Sequence, residues 1–382
     1  MELKIKQRTS LSIYFFLSGI CFATWASRIP TIKTLYNFNE AELGNLLFIM
    51  PISSLIGLPI SGWLVSKFNS RNPLVFSLVL FAVSLTLIGY STNVFYLGVS
   101  LFLFSFCMRI LNIAINTQSI ALQAKFEKKI LGSLHGLWSF GGLIGVSFST
   151  LMVKFNVSMK IHLLSIAIFS LILGLISYKF LLKNDKATSG NKLLFGKPDK
   201  FILLLGILVF LAAVCEGGMF DWSGVYFKEV VKEEIFTLGY FIFMIFMTFS
   251  RFISDKIIDK IGMQKAYIIS SFFISIGILL VIIFPYFWPS IIGFSIVGVG
   301  VAAVIPMTYA LAGTSKKYSP GLIVSIIATY GILGMLIGPP LIGYLAHLFN
   351  LKVAFVLFLI AGILLIPISQ LFFSIKNEKF VA

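Results

Sequence analysis

Residues 133–145 read SLHGLWSFGGLIG and residues 325–337 read SIIATYGILGMLI, two glycine-spaced apolar stretches set 192 positions apart. Each sits in an uncharged run long enough to cross a bilayer, for which about 20 apolar residues are needed. The first apolar segment opens near residue 9 and the seventh near 201, which is the same offset. The chain therefore repeats itself, and the repeating unit is a set of membrane-crossing segments.

Working outward with the same window predicts spans near 10–30, 42–65, 73–91, 94–120, 131–153, 161–182, 201–226, 235–256, 266–285, 289–313, 321–346 and 353–374. The longest polar gap divides them six and six. The expected organisation is an N-terminal six-helix bundle over 1–182, a cytoplasmic linker over 183–200 and a C-terminal six-helix bundle over 201–382. The fold class is all-α integral membrane, twelve transmembrane helices in two pseudo-symmetric bundles. Composition agrees, with 58% hydrophobic and 12% charged residues and a mean hydropathy of +1.00, where soluble domains are about a quarter charged.

The net charge of +16 does not point to nucleic acid, because the basic residues form no stripe and sit in short runs between apolar segments. With both termini placed in the cytoplasm, 22 Lys and Arg fall on that side and 7 on the other, Arg109 being left in mid-span. That bias sets the orientation. Cys21, Cys107 and Cys215 lie inside apolar stretches and read as buried thiols. His135, His162 and His347 have no ligand-like spacing, so neither a metal nor a cofactor is expected. The first apolar segment lacks a small-residue cleavage site and runs into Trp25 and Arg28, unlike a signal peptide.

Charges at mid-bilayer cost about 2.5–3.5 kcal/mol each and mark pairing or function. Four stand out: Arg28 late in span 1, Arg109 in span 4, and Glu216 and Asp221 in span 7. In span 4, Ser105, Arg109, Asn112 and Asn116 share one helix face. Such a stripe lines a cavity or, on the blander reading, ties helices together. Span 1 carries a second stripe, Tyr14, Ser18, Cys21, Trp25 and Arg28, read either as one wall of an aqueous path or as packing with an interfacial anchor. Glu216 lies near the midplane before Gly217-Gly218, where the helix could loosen, and is a candidate proton-coupling site. Pairing with Arg109 is the structural alternative. Arg28 and Asp221 form a candidate outer gate, the rival being a solvated rim pair.

On the cytoplasmic side, Gly62-x-x-x-Ser66-Lys67-x-Asn69-Ser70-Arg71 joins spans 2 and 3. Its counterpart, Arg251-x-x-x-Asp255-Lys256-x-x-Asp259-Lys260-x-Gly262, joins spans 8 and 9. Lys67, Arg71, Arg251, Asp255, Asp259 and Lys260 are candidate inner-gate residues that latch against helix ends. The glycine runs of spans 5 and 11 read as packing positions, and Pro51 and Pro306 as kinks.

The two loops resemble the major facilitator superfamily signature, Gly-x-x-x-Asp-Arg/Lys-x-Gly-Arg/Lys, with Ser66 in its Asp place and Asn69 in its Gly place. Along most of its length the chain also resembles the bacterial group typified by the rhizopine transport protein. The likeness is carried by Ala23-Thr24-Trp25-Ala26-Ser27-Arg28-Ile29-Pro30, Glu40-x-Glu42-Leu43-Gly44, Asn112-Ile113-Ala114-x-Asn116-x-Gln118, His135-Gly136-Leu137-Trp138-Ser139, Glu216-Gly217-x-x-x-Asp221-Trp222-Ser223 and Gly338-Pro339-Pro340-Leu341-Ile342-Gly343. It implies alternating access and proton-driven movement of a sugar-like or cyclitol-like solute. The group commonly has Asp where this chain has Asn112 and a small residue where it has Arg109. Either the solute is more acidic than is typical, or Glu216 alone handles the proton.

The resulting expectation is a multi-pass bacterial inner-membrane transporter with a central cavity lined by spans 1, 4, 7 and 10. Arg109, Asn112 and Asn116 contact solute, and Trp25, Trp138 and Tyr309 offer stacking faces. Its partners are a small solute, protons and the lipid bilayer, and the chain is expected to be a monomer. The rivals are an exporter of amphipathic compounds and a non-transporting receptor. No catalytic constellation or phosphate-cradling loop argues for an enzyme.

Overall fold

The computed structural model describes the backbone of residues 2–123, 125–126, 130–183, 199–312, 314 and 320–381. Most of the expected linker, 184–198, lies outside the described residues. Among the described residues, twelve helices are long and apolar enough to cross a membrane: Leu3–Leu35, Glu40–Phe68, Arg71–Tyr90, Val94–Gln123, Ser133–Lys154, Met159–Phe180, Lys200–Val231, Thr237–Ser254, Met263–Ile283, Phe287–Ala312, Ile326–Leu348 and Leu351–Ile375. They are spans 1 to 12 below. In lipid each backbone polar group must be satisfied within its own segment, which is why apolar runs of this length become helices.

Short polar residues start the spans. Asn39 and Glu42 form a reciprocal capping box before span 2, each backbone N–H donating to the other's side chain at 2.9 Å. Asp199 Oδ1 accepts from Ile202 N at 3.0 Å before span 7. Asn350 Oδ1 accepts from Val353 N at 2.9 Å before span 12. The helix of span 8 runs on to Ile261, and a single residue, Gly262 at φ +82, separates it from the helix of span 9. In the matching loop between spans 2 and 3, Asn69 takes φ +60. Asn tolerates the left-handed region better than other side chains, so the departure from the Gly pattern keeps the turn.

The chain divides into two compact units, residues 1–37 with 49–190 and residues 38–48 with 191–382. In the first, span 1 packs on spans 4, 5 and 6, and span 3 on spans 4 and 6. In the second, span 7 packs on spans 10, 11 and 12, and span 9 on spans 10 and 12. These five pairings match once six is added to each number, and span 8 packs in addition on spans 7 and 10. Glycine makes the tightest seam in each. A Cβ on Gly141 would run into the Phe16 carbonyl, and one on Gly334 would lie 2.6 Å from the Phe210 carbonyl oxygen.

Proline breaks two spans. Span 1 is helical over Glu2–Ala26 and Ile29–Leu35, and span 10 over Phe287–Val301 and Val304–Ala312. Pro30 lies four residues after Ala26, the last residue before its break, and Pro306 four after Ala302, the first residue within its break, and neither proline has an N–H to give that carbonyl. The other expected kink does not interrupt its helix, since Glu40–Phe68 runs on through Pro51.

Candidate solute and proton site

Glu216 sits at the middle of span 7 with its side chain 6% exposed, and Arg251 Nη2 donates to its Oε1 at 2.7 Å. Arg251 comes from the last turns of span 8, and its Nε donates to the Ala302 carbonyl at 3.3 Å. That carbonyl is the one Pro306 leaves without its helical donor, so one guanidinium holds both the carboxylate and the break in span 10. The second carboxylate oxygen, Oε2, is buried with no hydrogen-bond partner among the described residues. Thr248 lies one turn before Arg251 on span 8, and its Oγ1 is buried and unpartnered as well. Asp221 is half-buried, and the Tyr240 hydroxyl stands in the field of both carboxylates.

This arrangement corrects two expectations. Glu216 finds an ion-pair partner in Arg251 of its own unit, and Arg251 is drawn away from the inner-gate loop toward mid-span. The helix does not loosen at Gly217-Gly218 either. It runs unbroken over Lys200–Tyr226, and Gly218 makes room for the Phe358 ring. The irregular turn comes later, a π-helical Phe227–Val231 closed by Lys232 at φ +64.

In the first unit the polar stripe of span 4 divides in two. Ser105 Oγ donates to the Met50 carbonyl at 2.5 Å and Arg109 Nε to Ser54 Oγ at 2.7 Å, both across to span 2. The Arg109 stem passes over Gly57, whose Cβ would lie 3.3 Å from it. Lower down, Asn116 Nδ2 turns back to the Asn112 carbonyl at 2.8 Å. The Asn112 amide is half-exposed and has no hydrogen bond among the described residues. Thus the upper stripe ties helices together, and the Asn112 amide is left unengaged among the described residues. Trp138, with its ring 6.1 Å from Phe22, and Tyr309 are both half-buried.

The stripe of span 1 is not an aqueous wall. Tyr14 Oη donates to the Gly174 carbonyl at 2.8 Å, Cys21 Sγ lies 3.2 Å from Ser170 Oγ, and Arg28 Nε donates to His162 Nδ1 at 3.0 Å. All three meet one ridge of span 6, where polar groups pair with each other out of reach of lipid. Trp25 is fully buried in the same unit, with its ring 6.3 Å from Phe104. It packs rather than presenting a face.

The loop residues are engaged close to home. Arg71 Nη2 donates to the Tyr178 carbonyl at 3.1 Å and its guanidinium lies 4.0 Å from that ring. Lys67 Nζ lies 4.7 Å from the Trp63 ring, and Asn69 Nδ2 donates to the Lys183 carbonyl at 3.3 Å. Asp259 and Lys260 are exposed, and the side chain of Asp255 lies outside the described residues.

The profile of the Major Facilitator Superfamily matches residues 11–331. The chain belongs to that superfamily. It is 29% identical over 353 residues to an uncharacterized MFS-type transporter of Yersinia pestis, covering 92% of each chain. It is 30% identical over 372 residues to the membrane protein MosC of Rhizobium meliloti, covering 96% of this chain and 90% of that one. The crystal structure of the nucleoside transporter NupG superposes with a TM-score of 0.74 at 15% identity, covering 98% of this chain and 99% of the other. This major facilitator protein is therefore a multi-pass membrane transporter, with the fold and relatives of transporters and not of enzymes.

Two residues of this major facilitator chain escaped the sequence reading. Gln118 braces the end of span 6, donating to the Leu182 carbonyl at 3.1 Å and accepting from Leu182 N at 3.3 Å. His162 receives Arg28. Gln118 stood inside a motif but carried no charge to draw attention. His162 stood alone, its partner 134 positions away.

Proposed function

We propose that the protein is a proton-coupled secondary transporter that moves a small polar solute, sugar-, amino-sugar- or cyclitol-like, by alternating access. The observation that carries this reading is the half-satisfied carboxylate of Glu216. One oxygen is neutralised by Arg251, and the other is buried without a donor. A proton on that oxygen would give the carboxyl an O–H to donate and leave it neutral. Protonation removes the charge that holds Arg251, and so weakens the grip on the Ala302 carbonyl at the break in span 10. Proton binding and helix rearrangement then share one guanidinium.

For the solute, the Asn112 amide serves hydroxyls, with Arg109 and Asn116 held on the same helix face by their own hydrogen bonds, while Trp138 offers a face to C–H bonds. Both termini are proposed to lie in the cytoplasm of a bacterial cell, on the positive-inside count. A thermal-shift screen of the purified protein in detergent at pH 5.5 and 7.5 tests the reading. Its panel holds sugars, amino sugars, sugar acids, cyclitols, nucleosides and cationic amphiphiles. The expected result is stabilisation by a polyol, stronger at one pH, and loss of that pH dependence in Glu216→Gln. Stabilisation by amphiphiles alone would replace the polyol reading with export of amphipathic compounds.

A further inference from the structure

Span 1 has a hinge, and a buried imidazole holds it. The helix stops at Ala26 and resumes at Ile29. Pro30 cannot donate to the Ala26 carbonyl, and Ser27 Oγ competes at 2.7 Å for the Ala23 carbonyl that its own N–H already uses at 2.9 Å. Arg28 is the hinge residue, at φ −101 and ψ 0. Its side chain makes no cap for the following helix. It runs across to span 6, where Nε donates to His162 Nδ1 at 3.0 Å and Nη2 donates to the Val157 carbonyl at 2.8 Å. Arg28 is 4% exposed and His162 is fully buried.

The protonation state of the ring follows from its neighbours. A guanidinium only donates, so Nδ1 must be the acceptor. On the other side, His162 Nε2 lies 3.4 Å from Ser149 Oγ. Ser149 has spent its one proton on the Gly145 carbonyl at 2.7 Å, so it accepts and Nε2 carries the hydrogen. Both contacts select the same neutral tautomer. The Phe148 ring, 5.6 Å from the imidazole, closes another side.

We propose that His162 is a positioning residue that acts as a proton-responsive latch on the hinge of span 1. Neutral, it accepts from Arg28 and pins the outer segment Ile29–Leu35 to span 6. Protonated, it presents an N–H to a guanidinium, two donors and two positive charges face each other, and the latch opens. The charged group acting on the ring is Arg28, from span 1. Spans 3 and 5 bring no acid to it, since the sequence holds no Asp or Glu between Glu42 and Glu127 or between Glu127 and Asp185. Span 5 offers Ser149 and ends in Lys154. Lys160, on the same helix as His162, directs its Nζ to the Tyr90 ring of span 3 at 5.8 Å. With every neighbouring charge positive, an imidazolium gains no counter-ion and is relieved by the departure of Arg28. The proposal deepens the transport reading by giving one bundle its own proton-sensitive moving part.

Hydrogen–deuterium exchange of residues 27–37 tests this without any solute. It is measured on the detergent-purified full chain at pH 5 and pH 8 and corrected for intrinsic exchange rates. Wild type is expected to lose protection at pH 5 by about tenfold or more, the scale of one proton-linked unit. In His162→Asn the amide oxygen replaces Nδ1 as acceptor and cannot be protonated, so protection should be equal at the two pH values. His162→Phe, which lacks the acceptor, should be weakly protected at both. Equal wild-type protection at both pH values would overturn the latch, as would an acid loss in His162→Asn matching wild type. If His162→Phe does not fold, the Asn comparison still decides. Because no solute is involved, a failed latch leaves the transport reading standing, and a failed solute screen leaves the latch standing.

Discussion

Arg251 is the side chain on which the second unit turns, because it answers a carboxylate and an orphaned carbonyl together. Removing one member of a buried ion pair strands the other, at a cost of about 3–5 kcal/mol. Arg251→Leu should therefore lower the thermal midpoint in detergent more than the double variant Arg251→Leu/Glu216→Leu does. Additive midpoints in that cycle would mean that the pair is not coupled. Asn112 and Gln118 make the opposite contrast on one helix. The Asn112 amide has no hydrogen-bond partner among the described residues, so Asn112→Leu should leave stability nearly unchanged and weaken the solute response in a binding assay. Gln118→Leu deletes two buried hydrogen bonds, about 1–3 kcal/mol, and should lower the midpoint with solute affinity unchanged.

At the scale of elements, the seams and breaks set what each helix tolerates. Gly141 faces the Phe16 carbonyl across the seam between spans 1 and 5, whereas Gly62 has nothing within 4 Å of its Cβ position. Gly141→Ala should sharply reduce folded yield by size-exclusion chromatography. Gly62→Ala should be neutral or stabilising by about 0.5–1 kcal/mol, because alanine costs less entropy in a helix. The helices were legible in the sequence, since a run of about 20 apolar residues between basic clusters has few other meanings in water or lipid. The glycine seams and the break at Pro306 were legible for the same kind of local reason. Which polar face points where was not. Helical spacing puts Tyr14, Cys21 and Arg28 on one side of span 1, but periodicity cannot say whether that side meets water or another polar ridge. It meets span 6. Likewise Arg251 read as part of a loop signature, and its reach to Glu216 depends on the packing of span 8 against span 7.

For the whole molecule, the repeat at an offset of 192 appears as one set of pairings, made among spans 1, 3, 4, 5 and 6 and again among spans 7, 9, 10, 11 and 12. The halves differ in charge. The first keeps Arg28 and Arg109 with no acid in spans 3 to 6, and the second keeps Glu216 and Asp221 with Arg251. That asymmetry fits a carboxylate-based proton site in the second half and, in the first, proton sensitivity through His162 rather than through an acid. The orientation proposed from the basic loops predicts that a green fluorescent protein fused at the C-terminus fluoresces in bacterial cells, while an alkaline phosphatase fusion there stays inactive. The most direct test of the account takes the solute found by thermal shift into proteoliposomes and compares wild type with Glu216→Gln in two modes, exchange of solute at equal pH and accumulation driven by a pH gradient. The account predicts that Glu216→Gln keeps exchange and loses gradient-driven accumulation. Accumulation by Glu216→Gln at the wild-type level would contradict it.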